Sequence, residues 1–268
     1  MKKYLLAYAL GGLCLTSFSV RAQQKEGKVT YERISQFRAH ININGVESDV
    51  PQTRKDNFEL TFGNNQSLWK AAEQDNDNDN ASGEGDGMQI RMIVAGSDDV
   101  AYNNFETGKK TEKRELFDKT FIIDDSIRSM KWKMTGETKT ILNLPCMKAT
   151  TTSISKRTMM TMNDGKMDRK EIEDTSDIVA WFTTSIPVSA GPGEYQGQLP
   201  GLILEMDIKN GNQTYKATGI SEKADQSVIK EPTGKKHYKP EEFKKEREKM
   251  MKEMEQNNQG GNRVIRMN

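Results

Sequence analysis

The sequence predicts a mainly β protein, a single antiparallel sheet in one domain followed by a charged C-terminal helix. Three observations carry that expectation. From Gly27 to about Gln226, short apolar runs alternate with polar residues at a period of two. Turn signals such as Gly63-Asn64-Asn65, Thr107-Gly108, Asn163-Asp164-Gly165 and Asn210-Gly211 recur between those runs, as in a β meander and unlike a βαβ series. After Lys230 the composition shifts to Lys, Glu and Met, a helical mixture. An antiparallel sheet with one packed face and one wet face produces this alternation.

Residues 1–22 read as a secretory signal. Lys2 and Lys3 form the charged start, Leu5 to Val20 the apolar stretch, and Val20 and Ala22 the small residues before a cleavage at Gln23. The expected location is therefore outside the cytoplasm, in the periplasm or at the cell surface. Cys14 follows Leu13 inside the apolar stretch, which does not suit lipidation. Cleavage would leave Cys146 as the single thiol, so no intrachain disulfide is expected. Flanked by Pro145 and Met147, it reads as a small buried hydrophobe.

The β-rich body spans 23–230. Val29 to Ile34 is the first strand, and Phe58-Glu-Leu60-Thr-Phe62 the next. Gly63-Asn64-Asn65 then turns the chain into Ser67-Leu-Trp69. Residues 73–87 hold Asp, Asn, Glu and Gly with almost nothing apolar, an exposed acidic loop. Further strands are expected at Met88 to Ala95, Val100 to Tyr102, Phe121 to Ile123, Met130 to Met134 and Ala149 to Met162. Pro200-Gly201 reads as the centre of a type II turn, with Gly201 at positive φ. Leu202, Leu204, Met206 and Ile208 then share one strand face, with Ile203, Glu205 and Asp207 opposite. Asn210-Gly211 suits a type I′ hairpin, and Gln213 to Ile220 returns as the partner strand. The tail, 231–268, contains a helix from Pro240 to Glu255. Its apolar stripe, Phe243, Met250 and Met254, is a candidate for a partner's groove.

Composition excludes several functions. With 40 Lys+Arg against 39 Asp+Glu, no basic excess exists to neutralise nucleic-acid phosphates. Beyond the leader, no apolar run approaches the ~20 residues that span a bilayer. Two His and two Cys leave little for metal or nucleophile chemistry. His40 sits in a polar stretch and His237 beside Lys235 and Lys236; no nucleophile elbow, zinc-protease helix or phosphate loop is present. No enzyme, cofactor or metal site is expected. Asp75, Asp77, Asp79 and Asp86 partly match a calcium loop, but Asn80 replaces the turn Gly and Asp86 the bidentate Glu. Met159, Met160, Met162 and Met167, with Met250, Met251 and Met254, read as packing before Cu(I) ligation.

Three ordered segments carry a family resemblance. The first runs from Trp132-Lys-Met134 through Glu137-Thr-Lys139 to Pro145-Cys146-Met147-Lys148-Ala149. The second is Ala180-Trp181-Phe182-Thr183 with Ile186-Pro187 and Gly191-Pro192. The third is Gln198-Leu199-Pro200-Gly201-Leu202-Ile203-Leu204. The chain resembles the GLPGLI family, exported proteins of Gram-negative bacteria named for the third segment, with Gln198 where the name has Gly. The resemblance covers roughly 27–236. It implies no activity and no catalytic residue, and it leaves the motif residues as turn and core. The stretch from Trp132 to Ala149 is also loosely similar to exported half-barrels of the lipoprotein-carrier type, which implies a curved sheet with an apolar concave face. Two functions follow as expectations: a binding module for an apolar ligand such as a lipid, or an accessory protein of an outer-membrane transporter or envelope assembly.

Overall fold

A computed structural model of the chain describes residues 25–43, 46–72, 99–116, 119–163 and 166–259. The expected signal segment, the acidic loop with its calcium-like aspartates and the strand at Met88 to Ala95 lie outside the described residues.

Among the described residues, twelve strands form one curved, unclosed sheet, and one α-helix follows. The first six are β1 (Gly27–Ile43), β2 (Val46–Gly63), β3 (Gln66–Ala71), β4 (Val100–Asn104), β5 (Lys109–Leu116) and β6 (Lys119–Ser126). Then come β7 (Lys133–Ile141), β8 (Leu144–Asn163), β9 (Lys166–Thr183), β10 (Leu202–Ile208) and β11 (Gln213–Ser221). The two-residue β12 (His237–Tyr238) precedes α1 (Pro240–Gln259). The order across the sheet is β12-β6-β5-β4-β3-β2-β1-β11-β10-β9-β8-β7. Two meanders, β1 to β6 and β7 to β11, thus meet at one seam between β1 and β11. Pairing is antiparallel except for β12, which lies parallel to β6, so the sheet is mixed.

The curvature follows from one connection. β6 and β7 stand ten strand spacings apart in the order, about 48 Å in a flat sheet. Residues 127–132 join them, a reach of at most about 25 Å. The sheet must therefore curl until the two strands approach. Residues 184–201 fill the inside of that curl. Met130 N–H donates to Gln198 Oε1 at 2.9 Å, and Ile127 packs on Gly197. Ile186, Ala190, Tyr195 and Leu199 join the core of Val29, Tyr31, Leu60, Phe62, Phe182, Leu202 and Met206. Across the seam, Tyr31 Oη donates to the Ile203 carbonyl at 2.5 Å. That phenol is fully buried, and its pKa is raised by burial.

The structure corrects several local expectations. Gly201 does not adopt positive φ. Glycine is required there because a Cβ would meet the Thr183 carbonyl oxygen at 2.2 Å. The hairpin at Asn210-Gly211 is wider than two residues: Lys209, Asn210 and Gly211 all have positive φ, and Asn212 N–H donates to the Lys209 carbonyl. Gly211 N–H is held by Asp207 Oδ1 at 2.6 Å. Ile203, expected on the wet face, is 1% exposed, because a bulge at Leu204 shifts the register against β9. The strand expected from Met130 begins at Lys133, since Met130 and Lys131 bond to Gln198 and Thr151 instead.

The tail is not separate from the body. After one turn of 3-10 helix at Gln226–Val228, the chain crosses the second face of β2 to β6. Glu231 meets Lys109 and Thr111, His237 meets Asp124 at 2.9 Å, and β12 extends the sheet beside β6. In α1, Phe243 and Met250 pack on Phe121 and Ile123, so both are covered by the chain itself. The expectation that these two residues await a partner is corrected: β6 needs its apolar face covered, and the helix covers it. The side chain of Met254 lies outside what the structure describes.

Candidate functional site

The expected motif residues divide into packed and wet sets. Cys146, Leu199, Gly201, Leu202 and Ile203 are buried, as are Gly191 and Pro192. A Cβ on Gly191 would strike Ile203. The Cys146 thiol is 0% exposed, and burial raises its pKa, so it is a packed hydrophobe. Trp132 packs against the core, with its indole nitrogen buried and lacking an acceptor among the described residues. Pro187 and Pro200 are exposed at the bends of the 184–201 segment.

Trp181 and Lys148 face the other way, and β pairing assembles a surface around them. The register sets Lys148 beside Trp181, Trp181 beside Glu205, Glu205 beside Lys216 and Lys216 beside Glu32. This row crosses five strands of the wet face with alternating charge. Lys139 reaches over from β7: its Nζ lies 4.3 Å from the centre of the Trp181 ring and 2.8 Å from Glu205. Lys148 Nζ stands 5.8 Å from the same ring and 2.9 Å from Glu137. The paired carboxylate Glu137 has a lowered pKa, held down chiefly by the hydrogen bond from Lys148. The indole is thus flanked by two ammonium groups, each tethered to its own carboxylate. The group offers flat apolar contact and charges of both signs.

Lys139 and Glu205 were not expected in this site; only the pairing of β7 to β10 brings them to Trp181. Their sequence signal was present, since Lys139 falls inside the first motif segment and Glu205 directly follows the third. His40 lies on β1 and His237 on β12 against Asp124. Among the described residues, no three His, Cys, Asp or Glu side chains come together as metal ligands. At the lower end of the packed face, Arg33 pairs with Asp56 and lies 4.7 Å above Phe58, which stacks on Trp69. That group joins the core to the base of the β1–β2 hairpin.

Comparison with known proteins adds the following. A family model described as a protein of unknown function (Porph_ging) matches residues 132–205. That stretch contains Lys139, Lys148, Trp181 and Glu205. No curated protein matches. Among solved structures, PNGF-II in a P21 space group is similar with a TM-score of 0.48 and 15% identity, over 82% of this chain and 32% of that one. PNGF-II in a C2 space group gives 0.44 and 19%, again over 82% and 32%. The chain thus spans about a third of the length of those proteins.

Proposed function

We propose that the chain is an exported, non-enzymatic protein of the GLPGLI type that binds a partner protein in the cell envelope through the wet face around Trp181. One observation carries the choice between the two expected functions. A carrier of lipid or another apolar ligand needs an open apolar concave face. Here residues 184–201 fill that side, with Ile186 at 2%, Ala190 at 0% and Leu199 at 2% exposure. On the opposite face of the matched stretch, Trp181 stays partly exposed between Lys139 and Lys148. The leader-like residues 1–22 support export, and the GLPGLI motif order supports the family reading.

The test joins two measurements. Native mass spectrometry of the protein purified gently from its own host's envelope should give the mass of the bare chain. A photo-crosslinker at Lys216, an exposed position in the row, should then capture an envelope protein in cells. Lys148→Glu, which reverses one charge beside the ring, should reduce that capture several-fold. A bound mass of a few hundred daltons, or capture indifferent to Lys148→Glu, would overturn the reading.

A further inference from the structure

One face of the sheet is covered over β5 and exposed at β11. Cross-strand pairing carries that face from Asp124 and Thr111 through Leu68 and Thr61 to Lys28 on β1. Glu32 shares it, and Glu32 stands beside Lys216 of β11. Over β2 to β6 the face is crossed by residues 229–236, which pair with no strand. On β11, Lys216 and Thr218 stay exposed.

The crossing segment shows what this face seats. Glu231 meets Lys109 and Thr111 of β5, and the Thr111 hydroxyl donates to its carboxylate at 3.0 Å. Thr111 stands opposite Asp124 on β6. The same three residue types recur on β11. Lys216 and Thr214 are two positions apart, as Lys109 and Thr111 are, and Thr214 stands opposite Asp207 on β10. The order along the chain is reversed, but β11 runs antiparallel to β5, so both lysines lie toward the same end of the sheet. Neither the Lys216 ammonium nor the Thr214 hydroxyl has a partner among the described residues. The carboxylates on either side of Lys216 are taken, Glu205 by Lys139 at 2.8 Å and Glu32 by Lys55 at 3.4 Å. With Lys148 held by Glu137, Lys216 is the unpaired charge of the row that contains Trp181.

We infer that Lys216 and Thr214 seat a carboxylate from an extended acidic segment of the envelope protein that docks here, laid across the strands as residues 229–236 are. The inference rests on the reading of the Trp181 face as a docking surface, and it names the chemistry of what docks. A backbone that crosses the strands takes no ladder hydrogen bonds from them, so side-chain pairs select it. An ammonium and a hydroxyl that both donate to one carboxylate make a charge-assisted contact. A basic segment would set like charge against Lys216 and be rejected. Asp207 is no bar, since Glu231 sits beside Asp124 in the corresponding relation. Asp207 also spends one oxygen on the Gly211 N–H.

Carbodiimide treatment of host cells that express the full chain tests this, because the reagent joins an amine to a carboxylate only where the two touch. Lys139 with Glu205 and Lys148 with Glu137 should be joined within the chain, which shows that the reagent reaches this face. Lys216 should be joined to an Asp or Glu of another envelope protein, identified by mass spectrometry of the linked peptides. With a photo-crosslinker at Thr218, Lys216→Glu should lower capture of that protein about tenfold and Lys216→Gln about threefold. The smaller loss is why a neutral crosslinking residue at position 216 still captures it. Circular dichroism should show both variants folded, since the side chain is exposed. Capture without a Lys216 linkage, or capture that Lys216→Glu leaves unchanged, would overturn the inference and leave the docking reading standing. A Lys216 linkage to a second copy of this chain would also overturn it. No capture from either position would overturn both.

Discussion

Gly201 shows how one residue fixes the join between the meander and the segment that fills it. Its Cα lies so close to the Thr183 backbone that a methyl group would overlap the carbonyl by more than an ångström. Gly201→Ala should therefore lose about 2–3 kcal/mol in chemical denaturation, by overpacking. Gly211→Ala supplies the contrast. Nothing lies within 4 Å of its would-be Cβ, but φ is +86°, so the loss should be about 1 kcal/mol from backbone strain alone. Equal losses would mean that the Thr183 contact yields easily. Gly201 was legible as a necessary glycine, but for the wrong reason, since a Pro-Gly pair advertises a turn and carries no information about a carbonyl 18 residues away.

The elements that were hardest to read are the charged ones. β5 (Lys-Lys-Thr-Glu-Lys-Arg-Glu-Leu) and the lower half of β9 have no apolar alternation, and neither was expected as a strand. β5 needs none. Thr111, at 0% exposure, supplies its buried contact by bonding Asp124 and Glu231, while Lys110 and Arg114 pair with Glu112. The elements with an apolar face, β1, β2, β3, β6, β10 and β11, were legible because burial itself sets their period. The wet site was half legible. Trp181 and Lys148 stand in motif segments, but the pairing register that adds Lys139 and Glu205 is a property of the sheet.

The crossing segment after β11 carries its own pH dependence. Burial pushes the Asp124 carboxyl up, but the hydrogen bond and charge of His237, with Lys109 and Thr111, outweigh it and leave the pKa lowered. Glu231 is lowered chiefly by its hydrogen bond from Lys109. Both are depressed in the folded state, so the stability they lend is complete above their ordinary values of 3.8 and 4.5. It is lost as pH falls through the lower folded values. Amide protection of Tyr238 in β12 should therefore drop below about pH 4, ahead of the protection of Tyr31 in the core. Glu231→Gln should remove part of that drop. Loss of both protections at one pH would show that the segment does not loosen separately.

At the scale of the whole molecule, the two meanders are each built from neighbours in sequence and are joined by contacts that are distant in sequence. Lys28 faces Ser221, and Tyr31 bonds to Ile203. Such separation makes for slow folding, because the chain must close a long loop before the contact rewards it. The single-sheet class and its one helix were readable from alternation and composition. The order of the strands was not, since nothing local records that β1 and β11 are partners.

That seam sets a timetable. A chain made from its N-terminus completes β1 to β6 by Ser126, while the partner of β1 begins only at Gln213. Through the intervening stretch of synthesis and any translocation, the first meander exists with an open flank and with the residues that will fill its hollow still unmade. A holding factor that shields this flank would be needed where protein is crowded. A fragment ending at Ser126 should accordingly aggregate when expressed alone, and supplying residues 127–268 as a second polypeptide should return it to solution. If the fragment stays monomeric and folded by itself, the wait for β11 carries no hazard.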